Sequence, residues 1–385
     1  MIKYYLMIVL RLLLRVFYIF PIKSDSVIIS SYAGRKFACN PKYIVLHLLK
    51  RKDLKIYFVL NKDVNTNLPD NVIRINYFSL KHIYLLMTCK YIIVNSHERT
   101  KYFPYRNNQI YLYTSHGAYM FKKGNWRFKS DYYAKKIKDI ENKEITYKLF
   151  NNSLDAKKVL ELENLSKRKY LNFGYPRNDL LFSANLPLIE KIKKQLRIDL
   201  DKKIILYAPT YRAKKYNESH KGINEYGFEL LDVKGIIESF NNKFGNGHVL
   251  LYRAHHDMLS RGFSEDCINV SNYPDIQELL IIADYLITDY SSLMLDFSLL
   301  MRPGFLYTPD LEEYQSNIPD WINISNWPFD YACSNEQFLK IVNKYDDEKS
   351  IEKIRKFLDI IQISDDGNAT DRLCDFLLGI KNTSL

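Results

Sequence analysis

The sequence predicts an α/β protein of two similar halves, each a parallel sheet covered on both faces, with an amphipathic helix in front. Three observations carry that prediction. Short apolar runs of strand length recur along the chain and alternate with stretches of helical spacing, the pattern of parallel sheets buried on both sides. The alternation pauses in a polar, Lys-rich middle and then restarts. A chain of 385 residues also suits two domains of ordinary size.

In chain order, Met1 to Phe20 is strongly apolar but broken by Lys3, Arg11 and Arg15. On a helix Arg11 and Arg15 share a face. An arginine in mid-bilayer costs roughly 2.5–3.5 kcal/mol on insertion scales, so two of them argue against a membrane span. A cleaved signal would need an uncharged apolar region followed by small residues. Residues 1–22 are therefore expected to form an amphipathic helix lying in a membrane interface, the alternative being a helix packed on the protein's own core.

A first domain is expected over residues 23–190. Val27 to Ser31 reads as a strand opening into Tyr32-Ala33-Gly34, and Lys42 to Leu49 as a helix with Pro41 in its first turn. Apolar runs follow at Ile56–Leu60, Val72–Ile75, Tyr91–Val94 and Ile110–Tyr113, with a helical pattern at Leu80–Cys89. A helical, polar stretch from Asn151 to Lys167 leads to Tyr170–Phe173 and the turn sequence Gly174-Tyr175-Pro176-Arg177-Asn178-Asp179. The second domain, residues 191–385, restarts with Ile204–Tyr207, Val249–Tyr252, Tyr285–Ile287 and Phe305–Tyr307. Two such halves facing each other would leave a ligand cleft between their strand ends.

Lys and Arg number 56 against 44 Asp and Glu, a formal net charge of +12. Such a surplus suits nucleic acid, an anionic membrane surface or a polyanionic substrate. A protein that merely bound nucleic acid would have no use for the polar clusters at its strand ends, so nucleic acid is not an expected partner. The five cysteines, Cys39, Cys89, Cys267, Cys333 and Cys374, are scattered without CxxC or metal-ligand spacing. That pattern favours a reducing compartment and argues against a disulfide framework or a zinc site. Neither metal nor cofactor is expected.

The chemistry gathers where strands end. Tyr285–Ile287 runs through Thr288 into Asp289-Tyr290-Ser291-Ser292, just before a helical stretch, Leu293 to Leu300. Unpaired N–H groups and the dipole at a helix start favour phosphate, although Asp289, Ser291 or Ser292 could equally serve as a plain helix cap. Ile204–Tyr207 ends in Ala208-Pro209-Thr210-Tyr211-Arg212, and Val249–Tyr252 ends in Arg253-Ala254-His255-His256. If the strands are parallel, all three ends lie on one rim. Hydroxyls, guanidinium forks and imidazole on one rim indicate a phosphate-rich ligand. The chain has no Walker loop and no GxGxxG, so nucleoside triphosphates and dinucleotides are poor fits. In the first half, Tyr111–Ser115 leads into His116-Gly117, where a histidine at a strand end suits either a general base or a loop hydrogen bond.

These pieces resemble, in order, the CDP-glycerol glycerophosphotransferase family of teichoic acid and capsule assembly. The matching residues are Asn40-Pro41-Lys42, His116-Gly117 with Gly124, Gly174 to Asp179, Tyr207 to Arg212, Arg253-Ala254-His255, and Thr288 to Ser292 continuing through Asp296-Phe297 to Arg302-Pro303. The resemblance implies a GT-B arrangement of two Rossmann-like domains and metal-independent transfer of a polyol phosphate, with release of CMP. The donor would be a CDP-polyol and the acceptor a lipid-linked glycan or polyol phosphate, handled by a peripheral enzyme on the cytoplasmic face of the membrane. By the same resemblance His116 is the general base and His255 contacts the donor pyrophosphate. Thr210, Arg212, Arg253, Asp289, Ser291 and Ser292 complete the donor side. A nucleotide-sugar glycosyltransferase of the same architecture is the alternative. Ser115 stands where the family usually has tryptophan, and Ala118, Tyr119 and Phe121 replace its usual threonine, proline and lysine.

Overall fold

Strands rich in β-branched and aromatic residues, most of them followed by a helix, assemble into two wholly parallel sheets. The structure is a computed structural model and describes residues 2–96, 102–121, 132–163, 169–210, 231–254, 264–315, 318–319 and 321–379. The first sheet contains β1 (Lys23–Ser30), β2 (Lys55–Leu60), β3 (Val72–Asn76), β4 (Cys89–Val94), β5 (Ile110–Tyr113), β6 (Tyr147–Phe150) and β7 (Tyr170–Asn172), in the order β3-β2-β1-β4-β5-β6-β7. The second contains β8 (Lys203–Tyr207), β9 (His248–Tyr252), β10 (Ile268–Asn269), β11 (Tyr285–Thr288), β12 (Gly304–Tyr307) and β13 (Asp330–Ala332), in the order β10-β9-β8-β11-β12-β13. Strand order therefore reverses between β1 and β4 in one sheet and between β8 and β11 in the other. In sheets of this kind ligands bind outside the carboxyl ends at that reversal.

The period-2 geometry of a strand sends alternate residues to opposite faces, and both faces of the first sheet are buried. Val27, Ile29, Ile56, Phe58 and Ile93 pack with Ile44, Val45 and Leu48 of the helix Cys39–Leu48. Ile28, Val59, Ile92 and Val94 pack on the other side with Leu85 and Leu86 of the helix Leu80–Thr88. That helix stops one residue short of the expected Cys89 because Cys89 already opens β4. The expected helix Asn151–Lys167 is formed over Ser153–Glu163, and residues 164–168 lie outside the described residues.

The chain divides into two compact units. The first comprises Met1–Gly117, Gly124–Asp179 and Ile363–Leu385, and the second Ala118–Lys123 and Leu180–Gln362. A contiguous division at residue 190 does not provide for the return of the C-terminal segment to the first unit. There the helix Ala369–Leu378 lays Leu373, Cys374 and Leu377 into the core beside Ile44 and Leu48. Gly174 makes the return possible. It sits at φ +87, and a Cβ there would stand 2.9 Å from Asp365 Oδ1 and 3.0 Å from Ala369 Cβ. In the second unit Phe121 is fully buried, its ring 5.2 Å from Trp327 at 90°.

The helix Ile2–Leu14 docks on the first unit through one face. Met7 and Leu14 are buried, and Arg11 donates to the Phe103 carbonyl at 2.8 Å and pairs with Glu144. Arg11 is thus answered by the protein itself. Leu6, Val9, Leu13 and Val16 are each more than half exposed on the remaining surface. No helix among the described residues is long and apolar enough to cross a membrane.

Candidate active site

Both strand-order reversals carry the polar residues expected at their carboxyl ends. In the second sheet Tyr207 is in register with Tyr252 and with Ile287, so β8, β9 and β11 end level. The residues that follow, Thr210, Arg253 and Asp289 to Ser292, therefore share one rim. Asp289 is 2% exposed and binds the loop after β8: its two carboxylate oxygens each accept from the Thr210 N–H at 2.9 Å, and the Thr210 hydroxyl also donates to it. The Thr288 hydroxyl donates to the Ala208 carbonyl at 2.7 Å, a second tie across the same reversal. Arg253 is half-buried and donates to the Tyr273 carbonyl at 2.9 Å.

Ser291 and Ser292 precede the helix Leu293–Ser298 and are half-buried. Ser291 Oγ accepts from the Leu293 N–H at 3.3 Å, while Ser292, the residue at the cap position, makes no side-chain cap bond. Tyr290 points the other way, buried and stacked 3.8 Å from Tyr314. Arg212 and His255, with the neighbouring His256 and Tyr211, lie outside the described residues.

In the first sheet Ser30 is in register with Val94, and Val94 with Tyr113, so β1, β4 and β5 also end level. His116 is exposed just beyond β5. Its Nδ1 lies 2.8 Å from the Asn95 carbonyl, which can only accept; Nδ1 therefore carries the proton and the neutral ring has its lone pair on Nε2. The Tyr32 ring packs 5.6 Å from the imidazole at 60°. Asn95 is itself fully buried, accepts from the Tyr32 N–H at 2.8 Å and donates to Ser31 Oγ at 3.3 Å. One asparagine thus links the loop after β1 to the histidine after β5. Asn95 is not among the expected site residues, although it is the polar residue ending the run Tyr91–Val94, the same signal that marks Asp289.

The turn Gly174 to Asp179 fastens two things at once. Tyr175 N–H donates to Asp365 Oδ1 at 2.6 Å, and Asn151 and Asn178 donate to Asp365 Oδ2 at 2.8 and 3.0 Å. Asp179 accepts from the N–H groups of Ala369 and Thr370 at 2.9 and 2.8 Å, capping the last helix. Burial pushes the Asp179 carboxyl above its usual range, against the hydrogen bonds of Thr370 and Ala369 and the charge of Arg372. On its other side the turn reaches His116: Arg177 Nη1 donates to the His116 carbonyl at 2.7 Å. Asp365 has no signal in the sequence that would have found it.

One parallel α/β sheet carries a histidine at its strand-order reversal, and the other a hydroxyl-rich rim at its own. Comparison with known proteins defines the class as a transferase. The chain belongs to the CDP-glycerol:poly(glycerophosphate) glycerophosphotransferase family, which it matches over residues 12–379. It is 30% identical over 390 residues to the teichoic acid poly(glycerol phosphate) polymerase of Bacillus spizizenii, covering 95% of each chain. It is also 30% identical to the teichoic acid glycerol-phosphate transferase of Staphylococcus aureus, over 74% of each chain. Against the poly(glycerol phosphate) polymerase of Bacillus subtilis the chain spans only 40% of the relative's length. Among solved structures, a variant of the wall teichoic acid polymerase TagF superposes with a TM-score of 0.79 at 25% identity, over 92% of this chain and 89% of that one.

Proposed function

We propose that the protein transfers glycerol phosphate from CDP-glycerol to a hydroxyl of a lipid-linked acceptor and releases CMP, as an enzyme of GT-B type. The observation that carries this reading is the placement of two complementary sets of groups at the two strand-order reversals. On the first unit, His116 has its proton held on Nδ1, which leaves Nε2 to take the proton of an acceptor hydroxyl as that oxygen attacks the donor's β-phosphorus. On the second unit, Ser291 and Ser292 offer their hydroxyls to phosphate oxygens at the positive end of the helix that follows. Asp289 holds Thr210 in place for the same task, and Arg253 and Arg212 add positive charge. His255 steadies the negative charge that builds on the departing CMP. The family and the two glycerol-phosphate relatives support glycerol as the polyol.

Anchoring follows from the first helix. Its exposed Leu6, Val9 and Leu13, with Val16 just beyond its end, lie in the interface of the cytoplasmic leaflet, and the surplus of basic residues adds attraction to anionic lipid. A peripheral station of this kind suits a lipid-linked acceptor.

The site roles are tested by substitution. His116→Ala should lower turnover by roughly 10²–10⁴-fold, the usual cost of losing a general base, with CDP affinity retained. Replacing Ser291 and Ser292 by alanine should weaken CDP and CDP-glycerol together. If these serines only cap the helix, stability falls by about 0.5–2 kcal/mol and donor affinity is unchanged, which contradicts the donor role.

A further inference from the structure

The turn Gly174 to Asp179 and Asn40 both belong to the sequence pattern, yet neither enters the transfer chemistry described above. Their hydrogen bonds converge on one place. Asn40 Nδ2 donates to the carbonyls of Thr114 at 3.0 Å and Ser115 at 3.2 Å. Arg177 Nη1 donates to the His116 carbonyl at 2.7 Å, and the Tyr175 hydroxyl donates to the Gly117 carbonyl at 3.3 Å. Every carbonyl from Thr114 to Gly117 is thus held by a side chain from elsewhere in the first unit. The three residues are also tied to one another: the backbone N–H of Arg177 donates to Asn40 Oδ1 at 3.2 Å, and the guanidinium lies 5.0 Å over the Tyr175 ring.

We propose that Asn40, Tyr175 and Arg177 are positioning residues for the base, a cradle that fixes the backbone of 114–117 so that the imidazole of His116 stays aimed. The proposal rests on the reading of His116 as the base. None of the three needs to touch substrate. Asn40 is fully buried and Arg177 is 3% exposed, so the cradle works from behind the histidine. It has strain to hold, because Ser115 stands at φ +58, a conformation that a non-glycine residue keeps only where its surroundings impose it. Without the cradle the loop relaxes and the ring loses its register with the acceptor hydroxyl. A displacement of about 1 Å at a reacting group costs on the order of 10²-fold in rate.

A double-mutant cycle separates positioning from plain structural support. Turnover is measured with CDP-glycerol and a soluble acceptor analogue for wild type, Arg177→Gln, Tyr175→Phe, His116→Ala and the two double variants, alongside CDP affinity and melting temperature. Arg177→Gln and Tyr175→Phe should each lower kcat by roughly 10–100-fold in the wild-type background, with KM for the donor and CDP affinity unchanged. Arg177→Lys should recover only part of the loss, since a point charge replaces a planar fork. In the His116→Ala background the same substitutions should change the residual rate by less than about threefold. An equal loss in both backgrounds, or weaker donor binding, overturns the proposal. Near-wild-type turnover of His116→Ala alone instead overturns the reading of the base. Should Arg177→Gln fail to fold, Tyr175→Phe keeps its ring in the core, loses only the hydroxyl, and decides the question by itself.

Discussion

Asp365→Ala is expected to undo the return of the C-terminal segment to the first unit. The carboxylate is 8% exposed and receives three donors: Tyr175 N–H at 2.6 Å, Asn151 Nδ2 at 2.8 Å and Asn178 Nδ2 at 3.0 Å. A buried donor stripped of its acceptor costs about 1–3 kcal/mol. Water entering the vacated space recovers part of that sum, which leaves a net loss of about 3–6 kcal/mol. Domains of this size have about 5–15 kcal/mol in total, so the first unit becomes marginal. Asp365→Asn keeps one acceptor oxygen and should lose about 1–3 kcal/mol. Because two units need not unfold together, the assay is hydrogen exchange read separately on Ala369–Leu378, β6 and β7, with urea unfolding for the overall loss. Amides of the last helix should exchange far faster in Asp365→Ala, and those of the second unit should be unaffected. A loss below about 1 kcal/mol with the last helix still protected would refute the reasoning.

Two further predictions concern pH and the membrane. His82 is buried, its Nδ1 accepts from the Phe78 N–H at 3.1 Å, and burial pushes its pKa down from 6.5 to about 4. The unfolded chain takes up this proton first, so the stability it contributes is complete above pH 6.5 and is lost as pH falls toward 4, a total of about 3 kcal/mol. His82→Gln should flatten that part of the stability–pH curve, and an unchanged slope between the two proteins contradicts the assignment. For the membrane, Leu6 and Leu13 are 63% and 66% exposed on the docked first helix. Replacing both by serine removes about 1.5–3 kcal/mol of apolar burial per side chain from a bilayer contact. Co-sedimentation with anionic vesicles should drop at least tenfold while CMP release to a soluble acceptor analogue persists; unchanged co-sedimentation excludes that face as the anchor.

The parts of the fold that could be read from the sequence are those where one physical rule acts alone. Ile56–Leu60 and Ile110–Tyr113 are continuous apolar runs, and each lies wholly within a strand, because a parallel strand buried on both faces has no polar alternation to disguise it. β6 has no continuous apolar run to mark it, because Lys148 interrupts it. The structure buries that lysine against Glu163 at 3.0 Å, a compensation supplied by a helix distant enough to be invisible locally. β13, with Asp330 and Tyr331 exposed, is an edge strand whose pairing with β12 is set by the sheet and not by its own residues. At the candidate site, strand-end polarity located Thr210, Arg253, Asp289 and His116. It could not show that Asp289 is committed to Thr210, since that bond joins loops 79 residues apart. The turn Gly174 to Asp179 was legible as a motif, but its partners Asp365, Ala369 and Thr370 lie about half a chain away and became visible only in three dimensions.

The central claim is the identity of the group transferred, and the nucleotide left behind tests it most directly. Purified protein is incubated with a lipid-linked or soluble polyol-phosphate acceptor and, separately, CDP-glycerol, CDP-ribitol, UDP-sugars and GDP-sugars. Released nucleotides are resolved by chromatography and the acceptor by mass spectrometry. The account predicts CMP from CDP-glycerol, with the acceptor heavier by one or more glycerol phosphate units and with both products formed roughly 10²–10⁴-fold more slowly in His116→Ala. Release of UDP or GDP with a sugar added to the acceptor, and no CMP from either CDP-polyol, would contradict it.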